Sequence, residues 1–241
     1  MIKNINICFW FKELDFNPKE KIEDLSQQLK DLIDTPLMYN EEVVGKMLSM
    51  PRIQGLSRDK KYLFNMSLIN ALLSINVDKL DNDEVLLLVN EKTLLLYDIL
   101  KEIYDLKIIY TSIKLEIVEN GNPKSVTKIM HLDDREYEEI SFKRSFTKGD
   151  YYIVYVSSSG REYNFNIKKD VYNTEQDLFE RTLLVSLEEA KLKKEFFVSV
   201  VEINDRYAYN KDVNYLTTRE NIRGMIMELQ DILKKELYKE V

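Results

Sequence analysis

From Asn4 to Lys12 apolar and polar residues alternate, with Ile5, Ile7, Phe9 and Phe11 on one parity. A period of two predicts an opening strand, because successive side chains of an extended chain leave on opposite faces. Asn17-Pro18 then opens a helix: the Asn oxygen suits free first-turn amides, and the Pro ring sits where no amide hydrogen is needed. Ile22, Leu25, Leu29 and Leu32 or Ile33 follow at helical spacing until Thr35-Pro36 stops them. Val43, Val44, Met47 and Leu48 predict a short helix from Glu41 to Ser49, ended by Pro51, and the polar, basic segment Arg52 to Lys61 reads as a loop. Tyr62 to Val77 is strand-like but changes parity midway, which predicts a bulge or two segments. The continuous apolar run Val85 to Val89 reads as a strand, and Asn90 as the cap of a helix on Leu94, Leu95, Ile99, Leu100 and Ile103. Lys107 to Val118 alternates again, with Ile109, Thr111, Ile113, Leu115 and Ile117 on one face.

Asn120-Gly121-Asn122-Pro123 is the strongest break in the chain. It divides an N-terminal half, 1–119, from an acidic linker, 120–139, and a C-terminal half, 140–241. Strands are predicted at Ile140 to Phe146, Tyr151 to Val156 and Glu162 to Lys168, the last two joined as a hairpin by Ser157-Ser158-Ser159-Gly160. Glu175 to Lys194 fits either a helix or a buried strand, and Phe196 to Ile203 a strand. Thr217 with Glu220 forms a capping box before a long helix striped by Ile222, Met225, Ile226, Leu229, Ile232, Leu233 and Leu237. The fold class that emerges is α+β: two similar halves, each a mostly antiparallel sheet packed by amphipathic helices.

Composition narrows the chemistry. Of 241 residues only six are Gly and four Pro, with one Cys and one His. No G-x-x-x-x-G-K-[ST], G-x-G-x-x-G or G-x-S-x-G occurs, which removes phosphate-loop, dinucleotide-fold and hydrolase-elbow readings. Structural zinc needs about four Cys or His ligands and a disulfide two thiols, so neither is supplied. A net charge of −7 gives no broad attraction for nucleic acid or anionic lipid. No window approaches the roughly 18 apolar residues of a membrane span. A cytoplasmic protein with a reduced thiol is the expectation, with no cofactor and no membrane partner.

Four constellations remain. His131 stands with Asp133, Asp134, Glu136, Glu138 and Glu139 in the linker, a set that a two-metal hydrolase could use and that an acidic solvated loop explains as well. Cys8, between Ile7 and Phe9, reads as an inert core thiol. The basic clusters Arg58, Lys60, Lys61 and Lys143, Arg144, Lys148, beside Tyr62, Phe142 and Phe146, suit either nucleic-acid contact or a solvated face. Asp205, Arg206, Tyr207, Tyr209 and Tyr215 follow a core strand and form the interface candidates, since Tyr and Arg anchor protein contacts; tyrosines covering a core edge would look the same.

The stretch Phe197-Val198-Ser199-Val200-Val201-Glu202-Ile203-Asn204-Asp205-Arg206-Tyr207, then a polar spacer and the capped helix, resembles the C-terminus of a sporadically distributed, uncharacterised family of bacterial two-half proteins. Tyr97-Asp98-Ile99-Leu100, leading to a strand like Ile108 to Val118, is similar to the first half of that family. The resemblance implies a two-half α+β fold and a link to mobile-element or phage-defence gene clusters, with no activity attached. The expectation is a non-enzymatic interaction or regulatory subunit with a protein partner or a second copy of itself. The alternatives are a metal-dependent nuclease or nucleotide-processing enzyme using Asp133, Asp134 and Glu138, and a protein that binds a small nucleotide signal between its halves.

Overall fold

The computed structural model describes residues 2–15, 17–41, 47–77, 80–119, 137–144, 148–156, 162–172 and 196–237, with side chains described outside 82, 117–199 and 232–237. The opening alternation becomes β1 (Ile2–Phe11), which buries Ile5, Ile7, Phe9 and Phe11. Asn17 accepts from the Lys19 amide at 3.0 Å and, with Pro18, starts a 3-10 turn (Pro18–Lys21) that runs into α1 (Ile22–Leu29). Leu25 and Leu29 are buried as their spacing predicts; α1 stops at Leu29, short of the predicted end at Thr35-Pro36, and Leu32 and Ile33 are buried in the turn beyond it.

Two short strands lie where no strand is predicted, β2 (Met38–Tyr39) and β3 (Ile53–Leu56), the latter inside the expected loop 52–61. Ile53 alone carries little pattern, yet it is fully buried, and Gly55 lets the strand pass so close to Ile33 and Leu37 that a Cβ there would lie 2.4 Å from Leu37 Cδ2. The expected helix over Glu41–Ser49 falls largely on 42–46, outside the described residues; Met47–Met50 close a turn. The parity change in Tyr62–Val77 is a hairpin, β4 (Tyr62–Met66) and β5 (Asn70–Asn76). At its turn Ser67 Oγ accepts from the amides of Ile69 and Asn70.

Val85–Val89 is not a strand. It belongs to α2 (Asn82–Tyr104), which starts at Asp81: the Asp81 carboxylate accepts from the Glu84 amide at 2.8 Å, and Glu84 accepts from the Asp81 amide at 2.9 Å. Val85 and Val89 are buried while Leu87 between them is 69 % exposed, a helical and not an extended pattern. β6 (Ile108–Glu119) follows. Its register slips near Ile109, so that Ile108 enters the core beside Thr111, Ile113 and Leu115.

β7 (Tyr137–Arg144) starts three residues before the predicted Ile140, and β8 (Lys148–Val156) and β9 (Glu162–Tyr172) pair as expected, Val156 opposite Glu162. The ambiguous segment 175–194 lies outside the described residues. β10 (Phe196–Asn204), a short α3 (Arg206–Lys211) and α4 (Arg219–Leu237) complete the chain. The cap of α4 is one residue later than predicted. Thr218 and Asn221 exchange hydrogen bonds, because the Thr217 hydroxyl is drawn inward to Asp205.

The architecture is α+β. Ten strands, every pairing antiparallel, form one sheet in the order β2-β3-β4-β5-β1-β6-β10-β9-β8-β7. α1, α2 and α4 cover one face, where Val85, Leu96, Ile99, Leu100, Ile222, Met225 and Leu229 meet Ile5, Ile7, Phe9, Leu73, Ile113, Leu115 and Ile203 in a single core. Arg219 of α4 is ion-paired with Asp98 of α2. No helix among the described residues is long and apolar enough to cross a membrane.

Candidate functional site

Because side chains alternate along a strand, the residues that do not enter the core form a second face. On β1 these are Asn4, Asn6, Cys8 and Trp10; on β6 Tyr110, Ser112, Lys114 and Glu116; on β10 Glu202 and Asn204. The register sets Asn6 between Ser74 and Lys114, Cys8 between Leu72 and Ser112, and Trp10 between Asn70 and Tyr110. Beyond β6, Ser112 faces Asn204 and Lys114 faces Glu202. A groove of about 530 Å³ runs over these positions, with Ser49, Pro51 and Asn65 on one rim and Arg206 on the other. Cys8 thus lies on a half-buried polar face and not in the apolar core that its neighbours predict.

The hydrogen bonds in this groove divide its groups sharply. Ser74 Oγ donates to Asn6 Oδ1 at 2.6 Å, and Asn6 Nδ2 donates to Glu116 Oε1 at 3.4 Å. Burial pushes the Glu116 carboxyl above its ordinary value, against the pull of Lys114 and an Asn4 hydrogen bond. Ser112 Oγ at 2.6 Å and Asn204 Nδ2 at 3.3 Å both donate to Glu202 Oε1. The acceptors are therefore largely engaged by neighbours within the sheet. Lys114 makes no ion pair or hydrogen bond among the described residues, although it stands in the register between Asn6 and Glu202. The exposed Arg206 places its guanidinium 5.7 Å from the Tyr110 ring centre. Tyr110 stacks on Trp10 at 5.5 Å and 18°, and Tyr209 tilts against it at 6.3 Å. Burial raises the Tyr110 hydroxyl to about 12, and also raises the Cys8 thiol to about 12 despite the opposing Lys114. A thiol so placed stays protonated at neutral pH and is a poor nucleophile.

The interface candidates divide as well. Arg206 lines the groove, Tyr209 tilts against its Tyr110, and Tyr207 lies under Lys211, whose ammonium is 4.7 Å from its ring. Asp205 is fully buried: it accepts from the Thr111 amide at 2.6 Å and from the Tyr215 and Thr217 hydroxyls at 2.7 Å each. Desolvation raises its carboxyl, and those donors oppose the shift. Asp205 and Tyr215 thereby tie the α3–α4 connection to β6 within this chain. Of the acidic cluster, 131–136 lie outside the described residues, and Glu138 and Glu139 fall on β7, where only the backbone is described. Among the described residues no group of three or more His, Cys, Asp or Glu could hold a metal ion. Arg58, paired with Asp34, Lys60 and Lys61 occupy the β3–β4 turn, outside the groove lining. Lys143, Arg144 and Lys148 lie on β7 and β8.

Asn6, Lys114, Glu116, Glu202 and Asn204 were not singled out from the sequence. Their signal is polar or amide residues at alternate positions of otherwise apolar strands, and it gains meaning only once those strands are neighbours. No model of a known protein family matches the chain, and no curated protein matches its sequence.

Proposed function

We propose that the protein is a non-enzymatic interaction or regulatory subunit, and that the polar sheet face opposite the helices is its recognition surface. One observation carries this reading: Glu116 and Glu202 hold internal donors on Oε1, while Lys114, with no ion pair or hydrogen bond among the described residues, shares the face with the Trp10–Tyr110 pair and the exposed Arg206. Such an arrangement binds and orients; the protonated thiol of Cys8 adds no nucleophile. The resemblance of the β10–α4 region to the sporadically distributed bacterial family supports a setting in mobile-element or phage-defence gene clusters, with a protein partner or a second copy as the target. The test is co-purification of the natively expressed chain with its partner, compared with a Trp10→Ala, Tyr110→Ala variant and with an Asp83→Ala control on α2. Loss of the partner in the groove variant alone supports the reading. Steady turnover by the purified chain, abolished by Glu202→Gln, would overturn it.

A second reading, binding of a small nucleotide signal between two related halves, has its own support. Among the described elements each half has a leading strand (β1, β6), four further strands (β2–β5, β7–β10) and a long helix (α2, α4), with α1 following β1 and α3 preceding α4, and each leading strand pairs with the last of its four. With that unit the halves divide near 105–107, and the Asn120–Pro123 break falls inside the second unit, between β6 and β7. The groove then lies where β1 of one unit meets β6 of the other.

A further inference from the structure

The groove lines up aromatic rings, amide donors, a carboxylate and a lysine ammonium on one face. At one end Trp10 and Tyr110 form an aromatic wall, with the Arg206 guanidinium on the Tyr110 ring. Beside it Asn65 and Asn70 have their side-chain oxygens held by Gln54 and Ser67, which leaves their amide hydrogens for a ligand. Next along the groove comes Glu202, whose Oε1 takes both internal donors and whose Oε2 takes none among the described residues. Lys114 stands opposite Glu202 on β6. Tyr110 and Lys114 are four residues apart on that strand, about 13 Å at roughly 3.3 Å per residue.

An aromatic pair, a carboxylate oxygen with no donor among the described residues and, level with that carboxylate, a lysine ammonium about 13 Å along the strand from the rings match the parts of one ligand class. A heteroaromatic base stacks on rings and takes hydrogen bonds at its edge. A ribose diol donates to a carboxylate, as in dinucleotide-binding folds. A phosphate takes an ammonium as a compact point charge. We infer that the groove is a binding site for a nucleoside phosphate, with the base against Trp10 and Tyr110, the sugar hydroxyls on Glu202 and the phosphate on Lys114. This rests on the nucleotide-signal reading and gives it an orientation. Net charge −7 fits a short ligand held by one or two local cations better than a long polyanion, which needs a continuous basic track.

Trp10 is the single tryptophan, so its fluorescence reports on the groove directly. The full chain is titrated with adenosine, guanosine, cytidine and uridine 5′-mono- and diphosphates, with the free nucleosides, with inorganic phosphate and with a uridine 12-mer. Saturable quenching by at least one nucleoside phosphate is expected, at least tenfold weaker in Lys114→Ala, while binding of the matching free nucleoside is unchanged. Glu202→Gln weakens nucleotide and nucleoside alike. Should Lys114→Ala lose its fold by circular dichroism, Lys114→Arg, which retains the charge, is expected to bind, and Arg206→Ala, at an exposed position, to bind more weakly. A flat tryptophan signal across the panel overturns the assignment. So does equal affinity in Lys114→Ala, inorganic phosphate bound as tightly as any nucleotide, or the 12-mer bound more tightly than every mononucleotide. A flat panel with partner capture intact removes this ligand and leaves the regulatory reading standing; loss of the partner with nucleotide binding intact does the reverse.

Discussion

Asp205 accepts three hydrogen bonds with no exposed surface, so its removal leaves the Thr111 amide and two hydroxyls facing a void. An orphaned buried donor costs about 1–3 kcal/mol, so Asp205→Ala is expected to lower unfolding stability by about 3 kcal/mol in urea titration. The Thr111 hydroxyl presents the opposite case, being buried without a partner. Thr111→Val keeps the shape, removes the orphan and is expected to raise the urea midpoint, by about 1 kcal/mol of stability. Glu116 gives a pH signature. Its folded carboxyl is raised by burial above the unfolded value, so the stability it contributes is complete below the ordinary carboxylate range and is lost as pH rises through the folded value. Glu116→Gln lacks that titration, so its stability relative to the parent is expected to grow as pH rises from the ordinary carboxylate range through the raised folded value, read by thermal melts. No gain across that range would count against a desolvated Glu116. At this scale the sequence names Asp205 as a site residue through its neighbours Arg206 and Tyr207. It does not reveal that Thr111, Tyr215 and Thr217 surround it, since that enclosure comes from β6 and the α3–α4 connection.

Elements follow local rules where the rules are complete. α2 ends at Asp105 in the left-handed region, φ 49°, with its amide closing on Lys101. Asp105→Gly removes the steric cost there and is expected to add roughly 0.5–1 kcal/mol, checked by denaturant midpoint. Gly55→Ala is expected to cost about 1–3 kcal/mol by the same measurement, because the new methyl would overlap Leu37 and Ile33. The start of α2 is misread from the apolar run Val85–Val89: the capping box of Asp81 and Glu84 outweighs that run and makes it the first turns of a helix, not a strand before a cap at Asn90. α1, β1, the β4–β5 hairpin and β10 are legible from period and breakers. β3 is not, because one buried Ile and one close-packed Gly in four residues make no period.

At the scale of the molecule, antiparallel α+β character is readable from short alternating strands joined by hairpins, whereas the strand order is not. Nothing in β1 states that its partners are β5 and β6, so the groove that this pairing builds stays invisible until the sheet is assembled. β1 and β6 are bonded on both sides and covered by α2 and α4. Their amides are expected to exchange with deuterium most slowly among the described strands, and faster exchange there than in β2 or β3 would contradict the central placement.

The centre of the sheet also dictates when the chain is able to close. β1 precedes the other described strands in the chain, yet Ile7 meets Ile113, and that strand in turn meets β10, where Ile203 lies opposite Ile113. One edge of β1 is met by β5, with Ile7 opposite Leu73, but its other edge stays open until β6 is made, so the sheet has high contact order and assembly is expected to be slow.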